Sequence, residues 1–172
     1  MRYLIIAENP GYLPSHREFL IKQLRASLPV ITIRVASSHV EVDVKTDDLE
    51  TAVVEVERKI GRVLDVIDIT FEEVGGDVEK YVELFNKERF WEAHNVLEGV
   101  WRKTREPTLQ GLIMLAASFV KLQEGQLDKF ERLIKEAIQL LEKDVGCIKI
   151  RKLRKKVEKA LVEKKPFKIE CL

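Results

Sequence analysis

Two kinds of hydrophobic periodicity divide the chain. In Ile31–Val35 and Val40–Val44 apolar and polar residues alternate, which is typical of strands with one buried face. After Gly75-Gly76 apolar residues recur instead every three or four positions, which is typical of amphipathic helices. We therefore predict an α+β protein with two domains, residues 1–74 and 77–172.

The first predicted domain has the element order βαββαβ. Its helical stripes end before Pro29 and near Ile60, and each connects two strand patterns. This order predicts a ferredoxin-like sandwich, with two helices on one face of the sheet. The predicted strands lie in Tyr3–Ala7, Ile31–Val35, Val40–Val44 and Val63–Phe71, and the predicted helices in Ser15–Leu28 and Leu49–Ile60.

The second predicted domain contains only helical patterns. Short connections at Pro107, Gly125 and Gly146 favour antiparallel neighbours, so we predict a five-helix bundle. The third helix is apolar around almost its whole circumference, and we expect it, with Gln110, to be buried. The five predicted helices are Asp77–Lys87, Arg89–Thr104, Thr108–Glu124, Gln126–Lys143 and Ile148–Lys164.

A group of polar and aromatic residues on the second bundle helix is the candidate site. His94, Glu98 and Trp101 fall within roughly 60° of each other at one border of the apolar arc. Because Gln110 begins a buried helix, its amide needs polar partners. The candidate polar cluster is His94, Glu98, Gln110, Trp101, Trp91 and Glu92, although Glu92 projects to a different side.

A His–Glu pair at this spacing has three uses. It can ligate a metal, act as a general base with its orienting group, or hold two helices together. His94 and Glu98 are the only metal candidates, and no HExxH or CxxC motif adds further ligands. No nucleophile is evident, so no catalytic residue is assigned and no cofactor is expected. We favour a structural network among His94, Glu98, Gln110 and an indole N–H.

The same region resembles domain-of-unknown-function family 309 over roughly residues 77–143. That family has the pattern F-N-x3-[FY]-[FW]-E-A-H-E-x-L-E-x2-W, followed by L-Q-G-L-I-Q. The resemblance implies an all-helical bundle and assigns no activity. The matching residues are Phe85, Asn86, Phe90, Trp91, Glu92, Ala93, His94, Leu97, Glu98, Trp101, Leu109, Gln110, Gly111, Leu112 and Ile113.

Two departures from the family pattern bear on function. Asn95 replaces a glutamate and Met114 replaces a glutamine, which would weaken a metal or acid–base site. We therefore favour a non-enzymatic binding or interaction module, and one candidate partner is a second copy of the chain. The alternative is a metal-dependent hydrolase-like enzyme that uses His94 and Glu98. No sequence feature identifies a substrate or a pathway.

The last helix suggests another alternative, nucleic-acid binding. Residues 145–172 contain 10 basic and 3 acidic side chains, and clustered cations bind phosphates through counterion release. The competing interpretation is a packing helix with solvated lysines. Its apolar face lacks Trp and Phe, so we expect no membrane binding. The candidate residues are Lys149, Arg151, Lys152, Arg154, Lys155, Lys156 and Lys159.

The predicted sheet has a polar face without aromatic residues. RNA-recognition sheets stack bases on aromatic side chains, so this face disfavours RNA binding. It could instead mediate self-association. We expect the two central strands to present Thr32, Arg34, His39, Glu41, Asp43 and Lys45 to solvent.

The composition, the cysteines and the apolar runs indicate what class of protein this is and where in the cell we expect it. Charged residues make up 34% of the chain, whereas Asn and Gln together number only 8, a balance typical of heat-adapted proteins. Cys147 and Cys171 are too few for a disulfide scaffold. The run Leu4–Ala7 is too short for a signal peptide, and no apolar stretch has membrane-spanning length. We therefore expect a cytoplasmic protein.

Overall fold

The chain folds into two compact units. The computed structural model describes residues 1–71 and 75–171. One unit contains the described residues up to 71 together with 123–125, and the other contains 75–122 and 126–171. A four-stranded antiparallel sheet precedes a run of helices, which confirms the predicted α+β class. The predicted domain limits adjoin residues 72–74, which lie outside the described residues, and stay a prediction.

Four strands and two helices form the first unit. The strand order is β2-β3-β1-β4, and all neighbouring strands are antiparallel, so β1 and β2 run parallel with β3 between them. The finer assignment to the ferredoxin-like class stays a prediction. The strands are β1 Arg2–Glu8, β2 Val30–Val35, β3 His39–Lys45 and β4 Val63–Asp68, and the helices are α1 Arg17–Arg25 and α2 Leu49–Lys59.

Alternation along the strands places one set of apolar residues against both helices. Ile5, Ile33 and Val42 share a core with Leu24 of α1 and Val56 of α2, and all five are fully buried. Successive side chains of a strand point to opposite faces of the sheet, so these residues define the helix-covered face. The period-two pattern therefore predicts this core.

The opposite face differs from its sequence prediction. Arg34, His39, Glu41 and Asp43, which we expected to be exposed, are buried. Arg34 donates to Oε1 of Glu41 from Nε and Nη2, both at 3.4 Å, and His39 Nε2 lies 3.2 Å from Oε2 of Glu41. Arg2 donates to both oxygens of Asp43, at 2.9 and 2.7 Å. Buried charges need partners, and these charges are paired.

Five helices form the second unit. Within the described ranges, none of the chain's helices combines the length and the apolar character that a membrane crossing requires. The fourth helix of this unit ends at Leu140, whereas we predicted that it ends at Lys143. The N–H groups of Glu142 and Lys143 donate to Thr108 Oγ1, so they do not continue the hydrogen bonds of the helix. The helices are α3 Val78–Asn86, α4 Phe90–Thr104, α5 Pro107–Gln123, α6 Leu127–Leu140 and α7 Ile150–Glu163.

Aromatic residues occupy the centre of the helical unit. Phe119 of α5 stacks on Phe90 of α4, with ring centroids 4.9 Å apart, and meets Phe85 of α3 edge-on at 5.7 Å. Tyr81 of α3 is fully buried, and its hydroxyl donates to the Leu112 carbonyl at 2.6 Å. Burial raises the pKa of Tyr81 well above its ordinary value. These contacts hold α3 and α4 against α5, and thereby orient the candidate site.

Candidate functional site

Helix α4 has one buried side and one partly exposed edge. Phe90, Ala93, Val96 and Leu97 are buried in the bundle core. The helix ends at Arg105, which adopts the left-handed conformation with φ of 56°. On an ideal helix, the positions on the outer edge lie within roughly 120° of each other. We call this edge the α4 surface; it comprises His94, Asn95, Glu98, Trp101, Arg102 and Arg105.

The structure gives His94 and Glu98 different partners. His94 Nδ1 lies 3.1 Å from Oδ1 of its neighbour Asn95. Glu98 accepts a hydrogen bond of 2.5 Å from Nη2 of Arg102, one turn further along the helix. No hydrogen bond among the described residues joins His94 to Glu98. We predicted that the two side chains share an edge of α4, and in the structure each is engaged by a local partner on the same helix.

Glu92 and Trp91 lie at the start of α4. Arg89 donates to both oxygens of Glu92, at 2.6 and 2.8 Å, and both side chains are mostly buried. This bidentate ion pair neutralises Glu92 and places it beside the N-terminus of the helix, where a carboxylate is favoured. Trp91 is partly buried against the helical core. Glu92 thus has a structural partner away from His94.

Trp101 combines an aromatic surface with an unpaired donor. The guanidinium carbon of Arg105 lies 4.5 Å from the centroid of its ring, which is a cation–π geometry. The indole Nε1 is buried and has no hydrogen-bond partner among the described residues. A network with His94, Glu98 or Gln110 would have supplied an acceptor. The structure therefore does not connect the predicted cluster through the Trp101 indole.

Gln110 is half-buried on α5, whereas we expected it to be buried. No hydrogen bond among residues 1–71 and 75–171 joins it to His94 or Glu98. The adjacent Gly111 has a clear packing role, because a Cβ atom there would lie 3.0 Å from Leu141 and 3.1 Å from Leu140. In the described part of the chain, no group of three or more His, Cys, Asp or Glu side chains is placed to hold a metal ion.

Asn86 has a role that its sequence position did not reveal. Its side-chain amide donates to the Ile169 carbonyl at 3.0 Å and accepts from the Ile169 N–H at 2.7 Å. Cys147 and Cys171 form a disulfide beside this contact region, with Cα atoms 4.7 Å apart. No local spacing signals either contact, because 83 residues separate the first pair and 24 the second.

The basic residues of α7 are mostly engaged within the chain. Arg154 donates to the Leu141 carbonyl at 2.7 Å, where it satisfies the end of α6. Arg151 and Lys155 are exposed and form no ion pair with the described residues. Nucleic-acid binding by this helix stays a prediction. The other pairs are Lys149 with Asp144, Lys152 and Lys156 with Glu170, and Lys159 with Glu163, at 3.6 to 3.8 Å.

Comparison with known proteins gives one match. No curated protein and no solved structure matches the chain. Residues 78–133 match the sequence model of a family described as Domain of unknown function (DUF309). The matched segment contains α3, α4, α5 and the first half of α6, and so includes the whole α4 surface. The resemblance predicted from the Phe85–Ile113 motif is thereby confirmed for residues 78–133.

Proposed function

We propose that the protein is a non-enzymatic interaction module that associates with a second copy of itself through the α4 surface. The observation that supports this most is the ion pair of Glu98 and Arg102. Their side chains are 34% and 67% exposed, and they lie one turn apart on the outer edge of the helix. A surface that carries a negative and a positive side chain one turn apart can pair with a second copy of itself, because each charge then meets the opposite charge of the copy.

The complementarity follows from two-fold symmetry. In a symmetric dimer each residue meets its counterpart reciprocally. If two α4 helices cross antiparallel near residue 100, Glu98 of each copy faces Arg102 of the other. Both Arg102 guanidinium groups can then bridge their own Glu98 and the opposite one, which adds two charge-assisted contacts to each dimer.

Gly99 supplies space for a close approach. It lies on α4 next to Glu98 and is exposed, and apart from its chain neighbours and the surrounding helix backbone no atom lies within 4 Å of the position that a Cβ would occupy. The Trp101 ring and the stacked Arg105 lie at the other side of the α4 surface, roughly 120–160° round the helix from Gly99. Trp and Arg are the residue types most enriched among energetically dominant interface positions. The α4 surface thus offers charge pairs with an aromatic anchor at their side.

One helix surface gives a small interface. Interfaces below about 1,200 Å² are typical of weak or transient complexes. We therefore expect a dissociation constant of roughly 10–100 μM, which corresponds to about 5–7 kcal/mol. The dimer should also weaken with salt, because its charge pairs are only partly buried.

Sedimentation velocity of the full chain from 1 to 500 μM tests the proposal. The wild-type protein should shift from monomer to dimer across this range. Arg102→Glu creates two like-charge contacts per dimer, and should weaken association by about 10- to 100-fold. Lys103→Glu is the matched control, since it makes the same charge change on α4 at a position about 100° away.

Two results would contradict the proposal. One is a wild-type chain that stays monomeric at all concentrations and at low salt. The other is an equal loss of association in Lys103→Glu and Arg102→Glu, which would indicate a general charge effect. Circular dichroism of each variant shows whether the helices are retained.

A further inference from the structure

The segment after α7 follows a defined path along the helical unit. Lys164 adopts the left-handed conformation after α7, with φ of 56°, and the chain then reverses. Lys156 Nζ donates to the Lys168 carbonyl at 2.8 Å, and Glu170 lies 3.8 Å from Lys152. Residues later in the segment thus contact residues earlier in α7, so the segment runs antiparallel to the helix.

Alternate residues of this segment point into the bundle. The ring of Phe167 lies 5.3 Å from that of Phe85 and 5.8 Å from that of Phe119. Ile169 is 5% exposed and belongs to the helical core, whereas Lys168 is exposed. Alternation with period two is the geometry of an extended peptide. The segment is therefore seated by two apolar side chains separated by one exposed residue.

Asn86 recognises the main chain of the segment. Its amide bonds both the N–H and the carbonyl of Ile169. Such a pair of hydrogen bonds fixes an extended backbone and does not depend on which side chain that residue carries. Main-chain bonds combined with pockets for alternate side chains are how proteins recognise extended peptides in general.

We infer that the groove formed by Phe85, Asn86 and Phe119 is an extended-peptide recognition site, which residues 165–171 of this chain occupy and which the Cys147–Cys171 disulfide keeps occupied. The disulfide joins the segment to the turn between α6 and α7. Cys171 is exposed, so an external thiol can reach it. The occupied groove is the latched state, and reduction opens the latch.

The opening reaction requires a dithiol reductant. A thiolate of the dithiol attacks Sγ of Cys171 and forms a mixed disulfide with it, while the Cys147–Cys171 bond breaks. Cys147 leaves as a thiolate and takes up a proton. The second thiol of the reductant then displaces Cys171, which also takes up a proton, and the dithiol ends as a disulfide. Two electrons and two protons pass to the protein.

Hydrogen exchange of the full chain, oxidised and reduced, tests the latch. The Ile169 amide should exchange on the order of 100-fold faster after reduction, because the cross-link no longer limits the opened states of a loop of this length. Dithiothreitol is the reductant, and the Cys147→Ser/Cys171→Ser variant is the control. In that variant the Ile169 amide should exchange fast both with and without dithiothreitol. Unchanged Ile169 exchange on reduction of the wild-type chain would overturn the latch.

Binding of a labelled peptide tests the groove. The probe is a fluorescein-labelled peptide with the sequence of residues 165–170, and the protein is the full chain carrying Phe167→Ala, whose own segment seats poorly. Reduced protein should bind the peptide at least 10-fold more tightly than oxidised protein. Asn86→Ala in the same chain should weaken binding by about 10-fold, the loss expected from removing main-chain hydrogen bonds.

A second peptide defines specificity. Replacing its Phe and Ile by Ala should abolish binding. Equal affinity in both redox states, equal affinity for the two peptides, or no binding by the reduced chain would each overturn the assignment of the groove as a recognition site.

Discussion

The two units each contain a Glu–Arg pair, in very different surroundings. In the sheet unit the side chains of Arg34 and Glu41 are 3% and 0% exposed. On α4 of the helical unit the side chains of Glu98 and Arg102 are 34% and 67% exposed. The hydrogen-bond distance is longer in the buried pair, 3.4 Å against 2.5 Å. A short distance between the two charged groups therefore does not by itself indicate how much an ion pair stabilises the protein.

Solvent explains the difference between the two pairs. Removing two charges from water costs several kcal/mol per ion, and only their mutual attraction and further hydrogen bonds offset this cost. An exposed pair keeps most of its hydration and contributes little to folding. We therefore assign the Arg34–Glu41 pair to the stability of the fold, and leave the Glu98–Arg102 pair available for a partner.

The largest expected effect is that of Glu41→Ala. The substitution removes the buried carboxylate that Arg34 and His39 both contact, which should lower the free energy of unfolding by about 3–5 kcal/mol. Urea denaturation followed by circular dichroism measures it. The double variant Arg34→Met/Glu41→Leu is the matched control, because it removes both charges and should be much less destabilised. A loss below about 1 kcal/mol in Glu41→Ala would show that this buried pair does not carry the expected stability.

Tyr81→Phe extends the comparison to a buried uncharged group of the helical unit. Losing the bond to the Leu112 carbonyl should cost about 1–2 kcal/mol at neutral pH. Because burial raises the pKa of Tyr81 in the folded protein, the unfolded chain ionises this residue first. The stabilisation of the fold by Tyr81 is therefore complete below about pH 10 and falls as the pH rises further.

Urea denaturation at several pH values measures this dependence. The wild-type chain should lose more stability between about pH 9 and 11 than the Tyr81→Phe variant does. Parallel pH curves for the two proteins would contradict the assignment of Tyr81 as a group that stays neutral in the fold.

The smallest effect on folding is expected for Glu98→Ala. An exposed pair at this helical spacing contributes about 0.3–0.5 kcal/mol. The free energy of unfolding should therefore change by less than about 0.5 kcal/mol, at protein concentrations where the chain is monomeric. A loss as large as that of Glu41→Ala would mean that Glu98 serves the fold, and would remove the contrast between the two pairs.

Periodicity predicted the elements of the sheet unit and its helix-covered face, but not that the opposite face is buried. Alternation along Val40–Val44 indicates that Glu41 and Asp43 share a face, and the structure places them so. It carries no information on whether that face meets water. Arg34 and His39 were expected in solvent for this reason, and their burial depends on tertiary structure that no local pattern encodes.

The prediction of the candidate site concerned positions on a helix and not hydrogen bonds. Helical geometry predicts that His94, Glu98 and Trp101 share one edge of α4. Which atoms bond is decided by side-chain neighbours such as Asn95 and Arg102, which the geometry of the apolar arc ignores. The contact of Asn86 with Ile169 and the disulfide were missed, because long-range pairs leave no periodic signal.

A mixing experiment tests the central claim, that α4 pairs with its own copy, most directly. Glu98→Arg carries two positive residues at positions 98 and 102, and Arg102→Glu carries two negative ones. Each variant alone should associate about 10- to 100-fold more weakly than the wild-type chain. Mixed in equal amounts, they should form a heterodimer at least as stable as the wild-type dimer, because both cross-helix contacts then join opposite charges. Sedimentation velocity of the mixture that shows only monomers would contradict the account.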